Sequence, residues 1–203
     1  MKKIILSLAL VAGLGTMHNT FGQTTFGVKA DANLSNLVVS KMANTDSKLG
    51  FGANVGGFAN IEISKMFAVQ PEVMFLLENS KVETSGVKNN IRTWGVQVPV
   101  YAMLQLPSTN TGRAYVGVGP YAGLGFNAKN TTADVDLYDK NGADKAYLKR
   151  FDLGLAATAG YEFSNRIQIN ASYKHGLLDQ LDADSKNSTF TNQMITLGLG
   201  YRF

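Results

Sequence analysis

From Gln23 onward, apolar and polar residues alternate in eight runs, at about 24–36, 49–63, 67–79, 92–106, 113–127, 148–163, 167–178 and 190–203. Successive side chains of a strand point to opposite faces, so each run predicts a strand with one apolar face and one small or polar face. The last run is the plainest. Ile195, Leu197, Leu199, Tyr201 and Phe203 share one parity, while Thr196, Gly198, Gly200 and Arg202 share the other. The second run repeats the pattern with Phe51, Ala53, Val55, Ala59, Ile61 and Ile63. The sixth does so with Phe151, Leu153, Leu155, Ala157, Ala159, Tyr161 and Phe163. In the fourth, Trp94, Val96, Val98 and Val100 lead to Leu104 and Leu106, and an irregularity is expected near Pro99 and Val100. Pro71, Pro99 and Pro120 each remove a ladder donor, so all three are expected at bulges or local irregularities.

The polar faces carry ionic and neutral polar groups: Lys29, Asp31 and Asn33, then Gln70 and Glu72, Asp152, Thr158 and Glu162, and Gln168, Asn170, Ser172 and Lys174. Gly117, Gly119, Gly123 and Gly125 fall there too. The apolar faces place aromatics near strand ends and smaller aliphatic residues between, as a lipid-facing band does. Phe67, Tyr161, Phe163, Tyr201 and Phe203 would form one aromatic girdle, and Phe51, Phe75, Trp94, Phe126 and Phe151 the other. Short connections near Ser64-Lys65, Pro107 to Gly112 and Ser164 to Arg166 alternate with longer polar ones near Val38 to Lys48, Ser80 to Ile91, Ala128 to Tyr147 and Asp179 to Thr189. In outer-membrane barrels the short turns are periplasmic. The expectation is an all-β, closed, antiparallel, up-and-down, eight-stranded transmembrane barrel over residues 23–203, its interior filled by side chains.

Composition narrows the setting. Residues 1–22 read as a cleaved signal peptide: Lys2 and Lys3 precede an apolar run from Ile4 to Gly15, too short to span a bilayer as a helix. Without Lys2 and Lys3, 17 basic residues face 15 acidic ones, too near neutral to argue for nucleic acid. The absence of Cys excludes disulfides, thiolate chemistry and an N-terminal lipid anchor, so the fold itself must hold the membrane. The implied address is the outer membrane of a Gram-negative envelope, reached by export through the inner membrane. Outer-membrane lipid and lipopolysaccharide are the expected surroundings, and an extracellular or periplasmic protein is a further candidate partner.

Short motifs carry a resemblance. V-Q-P-E-V-M-F at Val69 to Phe75, Q-V-P-V-Y-A at Gln97 to Ala102 and G-V-G-P-Y-A-G at Gly117 to Gly123 resemble the PorT-like small outer-membrane β-barrel proteins. Y-K-H-G-L-L-D at Tyr173 to Asp179 and the ending L-G-L-G-Y-R-F are similar to that family's last two strands. The resemblance implies fold and location and carries over no active site.

Candidate chemistry is sparse. His175 is the one histidine beyond the leader, and Ser172, three residues away, falls on the opposite face of a regular strand. No catalytic residue is assigned, and the chain reads as a non-enzyme. Asp134, Asp136, Asp139 and Asn141, with Asp179, Asp182 and Asp184, have an oxygen chemistry that suits Ca²⁺ or Mg²⁺, but their spacing does not follow the EF-hand loop. They read as solvated turns, with no metal or cofactor assigned. The inward charges Lys29, Asp31, Glu72, Asp152, Glu162, Lys174 and Arg202 read as a salt-bridge network that holds the barrel closed, with a proton or ion path as the alternative. The leading function is structural, envelope-maintaining or loop-mediated. A narrow pore or transport accessory, a lipid-modifying enzyme and a soluble lipocalin-like carrier stand behind it.

Overall fold

The computed structural model describes residues 23–40, 45–48, 50–84, 87–130, 135–136, 138, 149–178 and 189–203. The expected signal segment, residues 1–22, lies outside them. Among the described residues, ten strands form one sheet: β1 (Thr24–Ser40), β2 (Thr45–Lys48), β3 (Gly50–Glu62), β4 (Phe67–Thr84), β5 (Val87–Gln105), β6 (Gly112–Asn130), β7 (Val135–Asp136), β8 (Phe151–Phe163), β9 (Ile167–Gly176) and β10 (Thr189–Arg202). All pairings are antiparallel. The ring runs β1-β3-β4-β5-β6-β8-β9-β10 and closes where β10 pairs β1, Leu197 opposite Ala32 and Tyr201 opposite Val28. Eight strands therefore make the wall, and β2 and β7 are short additions on β4 and β6 at the long-loop end.

The alternation sorts as expected, with the greasy side outward. In β8 the burial alternates through Asp152, Gly154, Ala156 and Thr158 inside and Phe151, Leu153, Leu155 and Ala157 outside. Leu197 is 66% exposed and Phe51 likewise 66%, whereas Tyr101 has no exposure and Glu72 only 2%. A water-soluble protein rarely shows a continuous apolar band of this size. Both aromatic girdles stand on the outer surface, and Phe26 joins the one at the short-turn end.

The prolines meet the expectation in part: each marks a local irregularity in pairing, but none a bulge. Pairing is interrupted at Ala59/Pro71, at Glu72/Pro99 and at Val100/Pro120, because a proline has no N–H to give. Yet register is the same on both sides of every interruption: Pro71 faces Val100 and Met74 faces Gln97 on one diagonal, and Pro99–Tyr121 and Ala102–Val118 lie on another. No bulge forms near Pro99 and Val100, and Trp94 through Leu104 keep one outward parity. The shift occurs instead between Trp94 and Gly95, where Phe126 and Asn127 of β6 are both exposed.

Two of the expected long connections are also largely strand. β4 and β5 stay paired up to Thr84 opposite Val87, so residues 80–84 and 87–91 extend the wall, and β1 runs on to Ser40. Backbone bonding sustains a ladder beyond the hydrocarbon, where no apolar face is required.

Candidate functional site

Among the described residues, ionic groups gather in the interior. At the short-turn end, Arg113 and Arg202 meet Glu62 and Glu162. Arg113 lies 3.3 Å from Glu62 and 3.4 Å from Glu162, while Arg202 lies 3.7 Å from Glu62 and also donates to Glu162. Gln168 Nε2 donates to the second oxygen of Glu162 at 2.7 Å. These side chains come from β3, β6, β8, β9 and β10, so they tie strands across the mouth.

Farther in, Lys29 Nζ donates to both oxygens of Glu72 at 3.2 Å, and Gln70 adds a bond at 2.9 Å. Asn60 in turn donates to Gln70 at 3.0 Å. Lys174 Nζ donates to Gln97 Oε1 at 2.6 Å, and Asn33 to Asn54 at 2.7 Å. In a low-dielectric interior such charges persist only when paired and hydrogen-bonded. Between them sit large side chains with almost no exposure, Tyr101, Tyr121, Met74 and Met194. Together they fill the bore, as eight strands require.

Towards the long-loop end, Tyr121 donates its hydroxyl to Asp152 at 2.9 Å, and Asn192 donates to Glu78 at 3.4 Å. Glu78, Gln97, Asp152 and Asn192 line a pocket whose outer wall includes Tyr138, Lys149 and Arg150. Tyr121→Phe removes a bond to a charged acceptor and is expected to cost about 1.5–3 kcal/mol in denaturant unfolding of the detergent-held protein.

The structure places every expected inward charge inside. Lys29 joins Glu72 and Arg202 joins Glu162 as ion pairs, whereas Lys174 and Asp152 bond to the neutral partners Gln97 and Tyr121. Glu62, Arg113, Gln97 and Glu78 complete these groups and were not singled out from the sequence. Their inward parity was the available signal. His175 and Ser172 do not meet. His175 lies on the outer surface, 6.5 Å from the Tyr173 ring in a stacked arrangement and 3.2 Å from Gln193, while Ser172 donates inward to Thr158 at 2.9 Å. Of the loop acids, Asp136 falls in β7, and Asp134, Asp139, Asn141, Asp179, Asp182 and Asp184 lie outside the described residues. Among the described residues no group of three His, Asp or Glu is placed to hold a metal.

Comparison with known proteins agrees with this architecture. OprG, an outer membrane protein from Pseudomonas aeruginosa, superposes with a TM-score of 0.56 at 14% identity, over 91% of this chain and 98% of its own. Neisserial surface protein A gives 0.57 at 13% identity, over 90% of this chain and 100% of its own. At these identities the likeness speaks for the fold alone. No curated protein sequence matches the chain. The family model of the outer membrane protein beta-barrel domain matches residues 21–182, most of the chain. The chain therefore belongs to the outer-membrane protein β-barrel domain family, and its place is the outer membrane.

Proposed function

We propose that this protein is a non-enzymatic barrel with a sealed bore, acting through its extracellular loops and through maintenance of the envelope it spans. The observation that carries this reading is the filled interior: Tyr101, Met74 and Met194 occupy its middle, and the Arg113–Glu62–Arg202–Glu162 cluster ties its short-turn end. Residues 1–22 serve as the export signal, and the domain runs from 23 to 203. Within the family we assign the chain to the PorT-like members, on the motifs around Pro71, Pro99 and Pro120. Outer-membrane lipid and lipopolysaccharide surround the apolar band, and protein partners are met at the loops.

In planar bilayers the purified protein is expected to give no defined unit conductance, and lipid A from cells with and without it is expected to be identical. A regular conductance step would support the second reading, a narrow pore or transport accessory. That reading draws on buried lumen polar atoms lacking a partner among the described residues, such as those of Asn170, Thr196 and the Tyr101 hydroxyl, which water can satisfy. The direct test of the first reading compares detergent sensitivity of cells lacking the protein with cells carrying the full chain or a loop-shortened one. Restoration by both forms would remove the loops from the account.

A further inference from the structure

At the loop end of the bore a small pocket lies among β4, β5, β6, β8 and β10. Its depth is acidic: Glu78 and Asp152 line it and are only 8% and 7% exposed. Its rim is basic, because Lys149 and Arg150 line the same space and are exposed. Two buried carboxylates thus sit under two cations, across a cavity of about 50 Å³. That is room for about four water molecules.

The fold positions each wall. Tyr121 donates its hydroxyl to Asp152 Oδ2 at 2.9 Å and holds that carboxylate from the short-turn side. Asn192 Nδ2 donates to Glu78 Oε2 at 3.4 Å. Gly176 of β9 keeps the gap between these groups open: a Cβ there would lie 3.2 Å from both Asp152 Oδ1 and the Asn192 backbone nitrogen. On the rim, Arg150 Nη1 donates to the Phe126 carbonyl at 3.0 Å, and its guanidinium lies 5.0 Å from the centre of the Tyr138 ring. Tyr138 in turn lies over Gly125, where any side chain would strike its hydroxyl.

One acceptor in the pocket calls for a donor. Asn192 is 8% exposed, and its Oδ1 is buried without a hydrogen-bond partner among the described residues. Leaving a buried acceptor unpaired is costly, so a donor belongs there. Lys174 does not supply it, since its Nζ donates to Gln97. Glu78, Asp152 and Asn192 Oδ1 offer oxygen acceptors on three sides, and a primary ammonium carries three donors. The rim cations repel a bare cation but attract an anionic group on the same molecule. The small volume sets the two charges only a few atoms apart. We propose that this pocket binds a small zwitterionic amine, its ammonium held by Glu78, Asp152 and Asn192 Oδ1 and its anionic group turned to Lys149 and Arg150. The site lies on the loop side of Tyr121 and does not depend on whether the bore conducts.

Glycine and phosphoethanolamine carry both charges, whereas methylamine and acetate carry one each. Saturation-transfer NMR of the full-length mature protein in a non-ionic detergent, titrated with each of the four, tests the site. Saturable transfer to at least one zwitterion is expected, with a midpoint roughly 10-fold or more below those of methylamine and acetate. Glycine alone would identify the anionic group as a carboxylate, phosphoethanolamine alone as a phosphate; either supports the site. The E78Q variant should raise the zwitterion midpoint roughly 10- to 100-fold, as loss of a hydrogen bond to a charged group does. K149Q/R150Q, on the exposed rim, should raise it too without weakening methylamine. K65Q/R166Q, at exposed turns of the opposite end, should titrate like the unaltered protein. Heat-modifiable gel mobility shows that each variant is folded. Absence of saturable transfer to both zwitterions would overturn the proposal, and so would an unshifted midpoint in folded E78Q or K149Q/R150Q. Methylamine matching the zwitterions would reduce the pocket to a cation site, and acetate matching them to an anion site; either result overturns the zwitterion. A conductance step in bilayers leaves these outcomes untouched, so the two ideas fail separately.

Discussion

Glu72→Ala is expected to cost about 3–5 kcal/mol of stability, because it leaves the Lys29 ammonium buried without its carboxylate. Glu72 is 2% exposed, takes both bonds from Lys29 at 3.2 Å, and accepts a third from Gln70. Those bonds offset the desolvation of the pair, and removing one partner keeps the desolvation cost while losing the attraction. The double change Lys29→Met with Glu72→Met should recover most of the loss, since an apolar pair of similar volume is often neutral or better than a buried ion pair. Urea unfolding of the barrel in lipid vesicles, run as a double-mutant cycle, checks both halves. Equal stability of Glu72→Ala and the parent would mean that water reaches the pair freely and that the bore is not sealed there.

The second large effect is on the opposite face. Leu197→Arg is expected to destabilise the vesicle-embedded protein by about 2–4 kcal/mol, as a charge near the midplane of a lipid-facing strand does. Leu197 is 66% exposed and lies between Ala171 of β9 and Ala32 of β1. On a water-facing surface the same substitution would stay within about 0.5 kcal/mol. The contrast is sharpest beside its neighbour Thr196, which is 1% exposed and points into the bore. Reversible unfolding at matched lipid composition measures the difference.

Much of this arrangement was legible from residue order because strand side chains repeat with period two. Thr196 and Leu197 are separated by their parity alone, and so are Asp152 and Leu153. The eight runs became the eight wall strands, and aromatics near their ends became the girdles. The plug was harder to see. Tyr101, Tyr121, Met74 and Met194 are large and partly apolar, so by type they belong with the lipid-facing set, and only their parity sends them inward. The Glu62–Arg113–Glu162–Arg202 cluster joins residues far apart in the chain, and no local spacing announces a contact across a bore. The prolines marked the interruptions correctly but not the bulge, for a simpler reason. A missing donor opens the ladder over two residue pairs, but the rungs on either side hold the register. The real bulge, beside Trp94, carries no proline at all. The strand extensions at residues 80–84 and 87–91 were hidden because strands outside the hydrocarbon have no apolar face to alternate.

The most direct measurement uses the lack of native cysteine. Single cysteines from 193 to 201, each spin-labelled in vesicles, are scanned for collision with oxygen, which concentrates in lipid, and with a water-soluble nickel complex. The account predicts that positions 195, 197 and 199 collide strongly with oxygen, while 194, 196 and 198 are shielded from both reagents. If positions 194, 196 and 198 met the aqueous reagent while 195, 197 and 199 were shielded, the barrel would be turned inside out from the one described.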